Sequence, residues 1–137
     1  MLSPDKPSLL TSRSGRVKAA RRLVRRPARA EHRLFLAEGP QAVREALTVP
    51  GCVREVFAVP SAAAGHPEIR AAAEAAGAAW LEVDDAALDS LTETVHPQGL
   101  VAVCRFLDVP AGEVMAGTPR LLAVCADVRD PGNAGTV

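Results

Sequence analysis

The sequence predicts an α/β domain joined to the opening of a second one. Three observations predict it. Apolar runs of strand length alternate with helix-length stretches that are amphipathic or rich in alanine. Pro and Gly stand at nearly every boundary between them. A fresh apolar run begins after a Pro- and Gly-bearing connection, once the first series of strands is complete.

Residues 1–12 read as a flexible leader containing Pro4, Pro7 and several Ser or Thr. The first domain spans residues 13–106. Ser14 is placed to cap a helix running to about Arg26, where Pro27 stops it. Val17, Ala20 and Val24 recur along it at steps of three and four. Lys18, Arg21, Arg22, Arg25 and Arg29 recur on another face. Residues 34–37 read as a strand, and Pro40 suits the first turn of a helix ending near Thr48. Residues 53–59 form a second strand, ended by Pro60. Residues 67–76 form an alanine-rich helix, with Gly77 where a C-terminal cap belongs. Residues 79–83 make a third strand, and Asp84 caps a short helix through Leu91. Residues 100–106 are apolar almost without interruption, as a strand buried on both faces requires. Residues 107–119 read as a linker. Residues 120–137 read as the start of another domain: a strand over 121–126, a loop, and the first residues of a helix. One strand and a loop cannot bury their apolar surface alone, so this piece belongs to something larger.

Composition narrows the function. A chain of 137 residues, 48% apolar with only four aromatic residues, builds an aliphatic core and needs no disulfide or metal. No apolar run approaches the ~20 residues of a membrane span, and no apolar stretch follows the basic N-terminus as in a secretory signal. An Arg-rich, acid-poor N-terminus also fits a transit peptide; a cytoplasmic location is the reading preferred here. Cys52, Cys104 and Cys125 are odd in number and far apart, and His32, His66 and His96 do not pair with them, so no metal site is expected.

The zero net charge conceals two opposed blocks. Residues 1–33 carry ten basic and two acidic side chains, a balance of +8, and the remainder carries six basic and fourteen acidic, a balance of −8. A basic block without compensation suits a polyanion, and Arg pairs with phosphate through two parallel hydrogen bonds. A solvated helix face is the plain alternative. Aromatic platforms for single-stranded bases are missing from the segment.

Three further motifs carry possible chemistry. Phe35-Leu36-Ala37-Glu38-Gly39 runs from a strand into a helix start, which offers free N–H groups to an anion but is also an ordinary turn. His96-Pro97-Gln98-Gly99 precedes the last strand of the domain; Gln98 suits a base edge or ribose hydroxyl and His96 a phosphate, but taken alone an ordinary loop is the preferred reading. Asp130-Pro131-Gly132-Asn133 with Gly135 follows an apolar strand, the place where α/β sheets bind ligands, and Asn133 both donates and accepts hydrogen bonds.

Taken together and in this order, Arg16-Val17-Lys18, Phe35-Leu36-Ala37-Glu38-Gly39, His96-Pro97-Gln98-Gly99 and Asp130-Pro131-Gly132-Asn133-Ala134-Gly135 resemble the SpoU (TrmH) family. These are RNA ribose 2′-O-methyltransferases of the knotted SPOUT superfamily, and the resemblance runs from about Ser12 to the end. It implies an N-terminal substrate-binding domain, a three-layer α/β/α sandwich similar to RNA-binding ribosomal proteins, followed by the first strand of a truncated SPOUT domain. It implies that Asn133 belongs to a catalytic motif whose arginine falls past Val137. It implies S-adenosylmethionine as cofactor of the full-length protein, none bound by this piece, and a homodimer formed through the missing catalytic domain.

The reading is an RNA-recognition domain that binds structured ribosomal or transfer RNA and does not itself methylate it. Arg16, Lys18, Arg21, Arg22 and Arg25 are the expected phosphate contacts, and Glu38, Gly39 and Gln98 are expected to line the same surface. Two other readings stay open on the residues alone: a free-standing RNA-binding module related to ribosomal proteins, and a small-molecule α/β enzyme whose Asp130-to-Gly135 loop binds a phosphate.

Overall fold

A computed structural model describes residues 8–136 and divides the chain into two compact units that meet between Leu107 and Asp108. Residues 1–7 of the expected leader, and Val137, lie outside the described residues.

The first unit is mixed α/β. In chain order it contains α1 (Gly15–Arg22), α2 (Arg26–His32), β1 (Leu34–Glu38), α3 (Gly39–Leu47), β2 (Val53–Ala58), α4 (Pro60–Gly65), α5 (Pro67–Ala75), β3 (Ala79–Glu82), α6 (Asp85–Asp89) and β4 (Leu100–Arg105). The four strands form one sheet in the order β1-β4-β2-β3. β4 runs antiparallel to both of its neighbours, and β2 pairs β3 in parallel. Placing the last strand in the middle explains its composition: Leu100, Val101, Ala102, Val103 and Cys104 are all buried, because both faces of a central strand are covered. Phe57, Val56 and Leu91 share that core, and full burial of each such side chain stabilises by about 1.5–3 kcal/mol. Among the described residues no charged or polar side chain is buried.

The register assigns side chains to faces. Trp80 and Glu82 lie on the face of Val56 and Ala102, and there Arg70 of α5 stacks on Trp80 at 5.9 Å and pairs with Glu82 at 3.5 Å. Glu55 lies on the opposite face with Val103, and there Arg16 of α1 approaches its carboxylate at 3.8 Å. α3 and α5 also pack together, joined by Arg44 Nη2 donating to Glu68 Oε1 at 2.7 Å.

Several boundaries fall as the sequence predicts. Asp84 accepts from the Ala87 N–H at 2.7 Å and so caps α6. Gly77 (φ +73°) closes α5, with its own N–H bonded to Glu74 O and that of Ala78 to Ala73 O, the paired bonds of a Schellman ending.

Other expectations are corrected. The single helix expected from Ser14 to Arg26 is two helices, and Pro27 opens the second instead of ending the first. Proline fits a first helical turn, where its missing N–H costs nothing. Arg29 therefore leaves the stripe it was assigned on one long helix. Pro60 likewise starts α4, which was not anticipated, besides ending β2. Ser14 stands at the N-cap position of α1 without a side-chain bond into the helix; its Oγ accepts from the Thr11 N–H at 3.0 Å. Leu10, assigned to the leader, is fixed by a parallel bridge to Val83, with Leu10 N bonded to Glu82 O at 2.9 Å.

The second unit holds α7 (Ala111–Ala116), inside the expected linker, and α8 (Pro131–Ala134). The strand expected over residues 121–126 is not formed: these residues are exposed and belong to no strand. A strand without a neighbour has no ladder for its N–H and C=O groups.

Candidate nucleic-acid interface

The break between α1 and α2 gathers the cations. α1 buries Val17 and Ala20 against the first unit and ends in Arg21 and Arg22. Its last turn tightens, with Leu23, Val24 and Arg25 each donating three residues back, to Ala20, Arg21 and Arg22. Arg25 is extended (φ −93°, ψ 130°), and α2 then departs in a new direction. Lys18, Arg21 and Arg22 from the first helix and Arg25 from the joint line one open cleft of about 770 Å³. All four are exposed. Pro27 and Ala28 form part of its wall, and Glu31, His32 and Ser90 complete it. The lining is cationic around an apolar wall, which suits a phosphate backbone lying along it.

Arg16 lies elsewhere. It does not line this cleft, and its partner is Glu55.

Glu38, Gly39 and Gln98 come together, 59 or more positions apart in the chain for the two outer motifs, in a second and smaller recess of about 210 Å³ that also includes Thr92, Thr94 and His96. The register brings Glu38 opposite Val101, which joins the two motifs at one end of the sheet. Gly39 (φ +87°) lies so close to Gln98 that an added Cβ would stand 2.6 Å from Gln98 Oε1. The Glu38 carboxylate accepts from the Glu93 N–H at 3.3 Å and from the Thr94 hydroxyl at 3.4 Å. These residues thus hold a loop against the start of α3. The two recesses are distinct, yet Ser90 lines one and Thr92 the other, so both flank the end of α6.

Asn133 belongs to the second unit. Its N–H donates to Asp130 Oδ2 at 3.0 Å, and its carbonyl accepts from the Thr136 hydroxyl at 2.8 Å. The loop's own carboxylate therefore takes up the Asn133 amide. Nearby, Arg129 forks onto the Asp127 carboxylate at 2.9 and 3.2 Å. Among the described residues no group of His, Cys, Asp and Glu is placed to hold a metal ion.

Sequence reasoning missed His32 and Ser90 as cleft residues, because neither lies on the arginine stripe. Pro27 was the available signal: read as a helix start, it bends the chain so that His32 returns toward Lys18.

Residues 15–102 match the family profile of the MRM3-like substrate binding domain. The chain belongs to that family. The match covers both recesses and all four strands except the last residues of β4. Among curated proteins, this chain is 30% identical over 128 residues to the 23S rRNA (guanosine(2553)-2′-O)-methyltransferase RlmP of Bacillus subtilis (strain 168), covering 93% of this chain and 47% of that protein. The chain thus spans about half the length of that relative. Among solved structures it resembles an AdoMet-bound rRNA methyltransferase from Sinorhizobium meliloti, at 26% identity and a TM-score of 0.62, over 75% of this chain and 38% of that one. It also resembles an RNA 2′-O ribose methyltransferase, at 27% identity and a TM-score of 0.60, over 95% of this chain and 50% of that one. The resemblance to SpoU (TrmH) methyltransferases read from the motifs is borne out.

Proposed function

We propose that this chain is the RNA-recognition part of an S-adenosylmethionine-dependent RNA ribose 2′-O-methyltransferase acting on ribosomal or transfer RNA. One observation carries the reading: Lys18, Arg21, Arg22 and Arg25 converge on a single open cleft in a domain of a substrate-binding family. A-form RNA shows side chains little sequence in its deep groove, so selecting one nucleotide requires gripping a folded RNA by shape and phosphate. Four cations fixed around one trough suit that task. Arg16, Glu38, Gly39 and Gln98 contribute, in this reading, from the rim and from the neighbouring recess.

The first unit is read as a three-layer α/β/α sandwich, with support from the contacts of α5 on one sheet face and α1 on the other. Residues 120–137 are read as the opening of the methyltransferase domain, with Asn133 in its first motif; a solved relative matched over 95% of this chain supports it. S-adenosylmethionine would supply the methyl group. Residues 108–130 and 133–136 are all exposed, and so offer no enclosed pocket for its nucleoside. The residues present do not fit that cofactor, and these 137 residues alone are expected to bind RNA without methylating it. The longer protein is expected to dimerise through its catalytic domain and to work in the cytoplasm. Among the described residues no helix is long and apolar enough to cross a membrane.

The test is a salt titration of binding to a structured RNA, for the wild-type chain and for the Arg21→Glu, Arg22→Glu, Arg25→Glu triple variant. The wild type should bind at low salt and weaken steeply as salt rises. The triple variant should lose binding while keeping its Tm, since all three side chains are exposed. Equal binding by the two proteins, or none by the wild type, would sink the proposal.

A further inference from the structure

We infer that Arg29 is the positioning residue of the basic cleft: it sets the geometry of α1 and α2 and thereby aims the cations that meet RNA. The inference rests on the RNA-recognition reading above and adds to it a residue that need not touch RNA. Continuing α1 in α-helical geometry would require the amide of residue 27 to bond the carbonyl of Leu23. Residue 27 is proline and has no N–H to give. The Leu23 carbonyl is instead taken by Arg29, whose Nη1 donates to Leu23 O at 3.0 Å and to Val24 O at 2.7 Å. One guanidinium nitrogen thus substitutes for the missing amide and ties the second helix to the end of the first. Charge-assisted bonds of this kind are stronger than neutral ones, and a planar guanidinium fixes direction as well as distance.

Arg29 is half-buried and does not line the cleft, whereas Arg22, just before the joint it clamps, and Arg25, within that joint, do. Its positive charge is therefore spent on backbone carbonyls, and its effect on RNA runs through its neighbours. Without the clamp, the joint at residues 23–25 loses the side-chain tie that Arg29 supplies to the Leu23 and Val24 carbonyls. The helices are then free to splay, and the four cations no longer present one fixed pattern to a phosphate backbone.

A double-mutant design separates this role from a direct contact and from a purely structural one. Binding of the 137-residue chain to a fluorescein-labelled RNA hairpin is measured at low salt for four proteins. These are the wild type, Arg29→Met, the Arg21→Gln, Arg22→Gln, Arg25→Gln variant, and the combination of all four changes. Methionine keeps the apolar stem and removes the donors. Arg29→Met should weaken binding about tenfold in the wild-type background and less than about twofold in the neutralised background, since three of the four cations it aims are gone there. An equal loss in both backgrounds would make Arg29 an independent phosphate contact and overturn the inference. A lower Tm with unchanged affinity would make it structural only, and would overturn it too. If the neutralised variant itself binds as well as wild type, the cleft reading fails instead. Should Arg29→Met not fold, Pro27→Ala offers the second route. Restoring an amide at residue 27 lets the two helices fuse, which should lower affinity at least as much while the protein stays folded. Wild-type affinity in that variant would equally refute the role of the joint.

Discussion

Gly99 and Ala62 meet with no room between them: a Cβ built on Gly99 would stand 2.7 Å from the Cβ of Ala62 and 2.9 Å from Val59 Cγ2. Gly99 also has φ +82°, a conformation that L side chains rarely adopt, and its carbonyl accepts from the Val59 N–H at 3.0 Å. The contact fastens the start of β4 to the start of α4. Gly99→Ala should therefore destabilise the first unit by about 2–5 kcal/mol, combining backbone strain with overpacking against atoms that cannot yield. Gly39→Ala should cost less, although its φ is +87°, because the atom in its way is the far end of Gln98, which can swing aside. Thermal unfolding followed by circular dichroism gives the order. A Gly99→Ala protein melting at or above Gly39→Ala would refute the packing account.

The cations of the N-terminal region should not be equivalent. Lys18 lines the cleft, while Arg16 lies outside it and faces Glu55. If the cleft holds phosphates, Lys18→Ala should weaken RNA binding uniformly across sequences and reduce the slope of log affinity against log salt by roughly 1. Arg16→Ala should change that slope less. Neither should move the Tm much, since exposed charges contribute little to stability. Parallel titrations decide it, and a larger slope change for Arg16→Ala would relocate the RNA surface.

The fold class was legible because its signals are local. The continuous apolar run of β4, the Asp84 cap and the Gly77 ending each report their structure through nearest neighbours. The joint between α1 and α2 was not legible, because Pro27 stops one helix and starts the next with equal ease. Only the two carbonyls taken by Arg29 show which occurs. The site was half legible for the same reason. Charge density in residues 1–33 picks out the cations of the cleft, but a cleft is a relation between elements, so Ser90 carries no trace of it in sequence and His32 enters it only once Pro27 is read as a helix start. Glu38 and Gln98 do share one recess, apart from the arginine cleft; the loop bonds of Glu38 to Glu93 and Thr94 were beyond reach, since they depend on where the chain returns.

The three thiols should differ sharply in reactivity. Burial, with a smaller contribution from the neighbouring Cys52, pushes the Cys104 thiol up to about 12. Cys52 is buried as well, whereas Cys125 is exposed. A thiol held neutral is a poor nucleophile. A disulfide reagent at mildly alkaline pH should modify one cysteine rapidly in the native chain and all three after unfolding. The same shift links to stability. In the unfolded chain the thiol ionises near its ordinary value of about 8.5, while in the folded chain it stays protonated to about 12. Its stabilising contribution is complete below the first value and is lost as pH climbs from the first to the second. Two native thiols reacting at the rate of Cys125 would contradict the burial.

The last expectation concerns two segments of almost the same composition. Residues 100–105 read Leu-Val-Ala-Val-Cys-Arg and residues 121–126 read Leu-Leu-Ala-Val-Cys-Ala, so their intrinsic preference for a strand is nearly equal. The first is the central strand of a sheet, paired on both sides by β1 and β2, and five of its six residues are buried. The second belongs to no strand, and Leu121 and Val124 are 90% and 88% exposed. Propensity being matched, the difference must come from partners: a ladder needs a neighbouring backbone to receive it, and the second unit supplies none among its described residues. Native-state amide exchange reads this directly. The amides of Val101 and Val103 should be among the slowest in the chain, while those of residues 121–126 should exchange near the rate of an unstructured peptide. A longer chain that supplies neighbouring strands should slow the second set without altering the first. Protection of residues 121–126 equal to that of β4 in the 137-residue chain would mean that a strand forms there without such neighbours, and would remove the physical ground for reading this segment as the edge of a larger sheet.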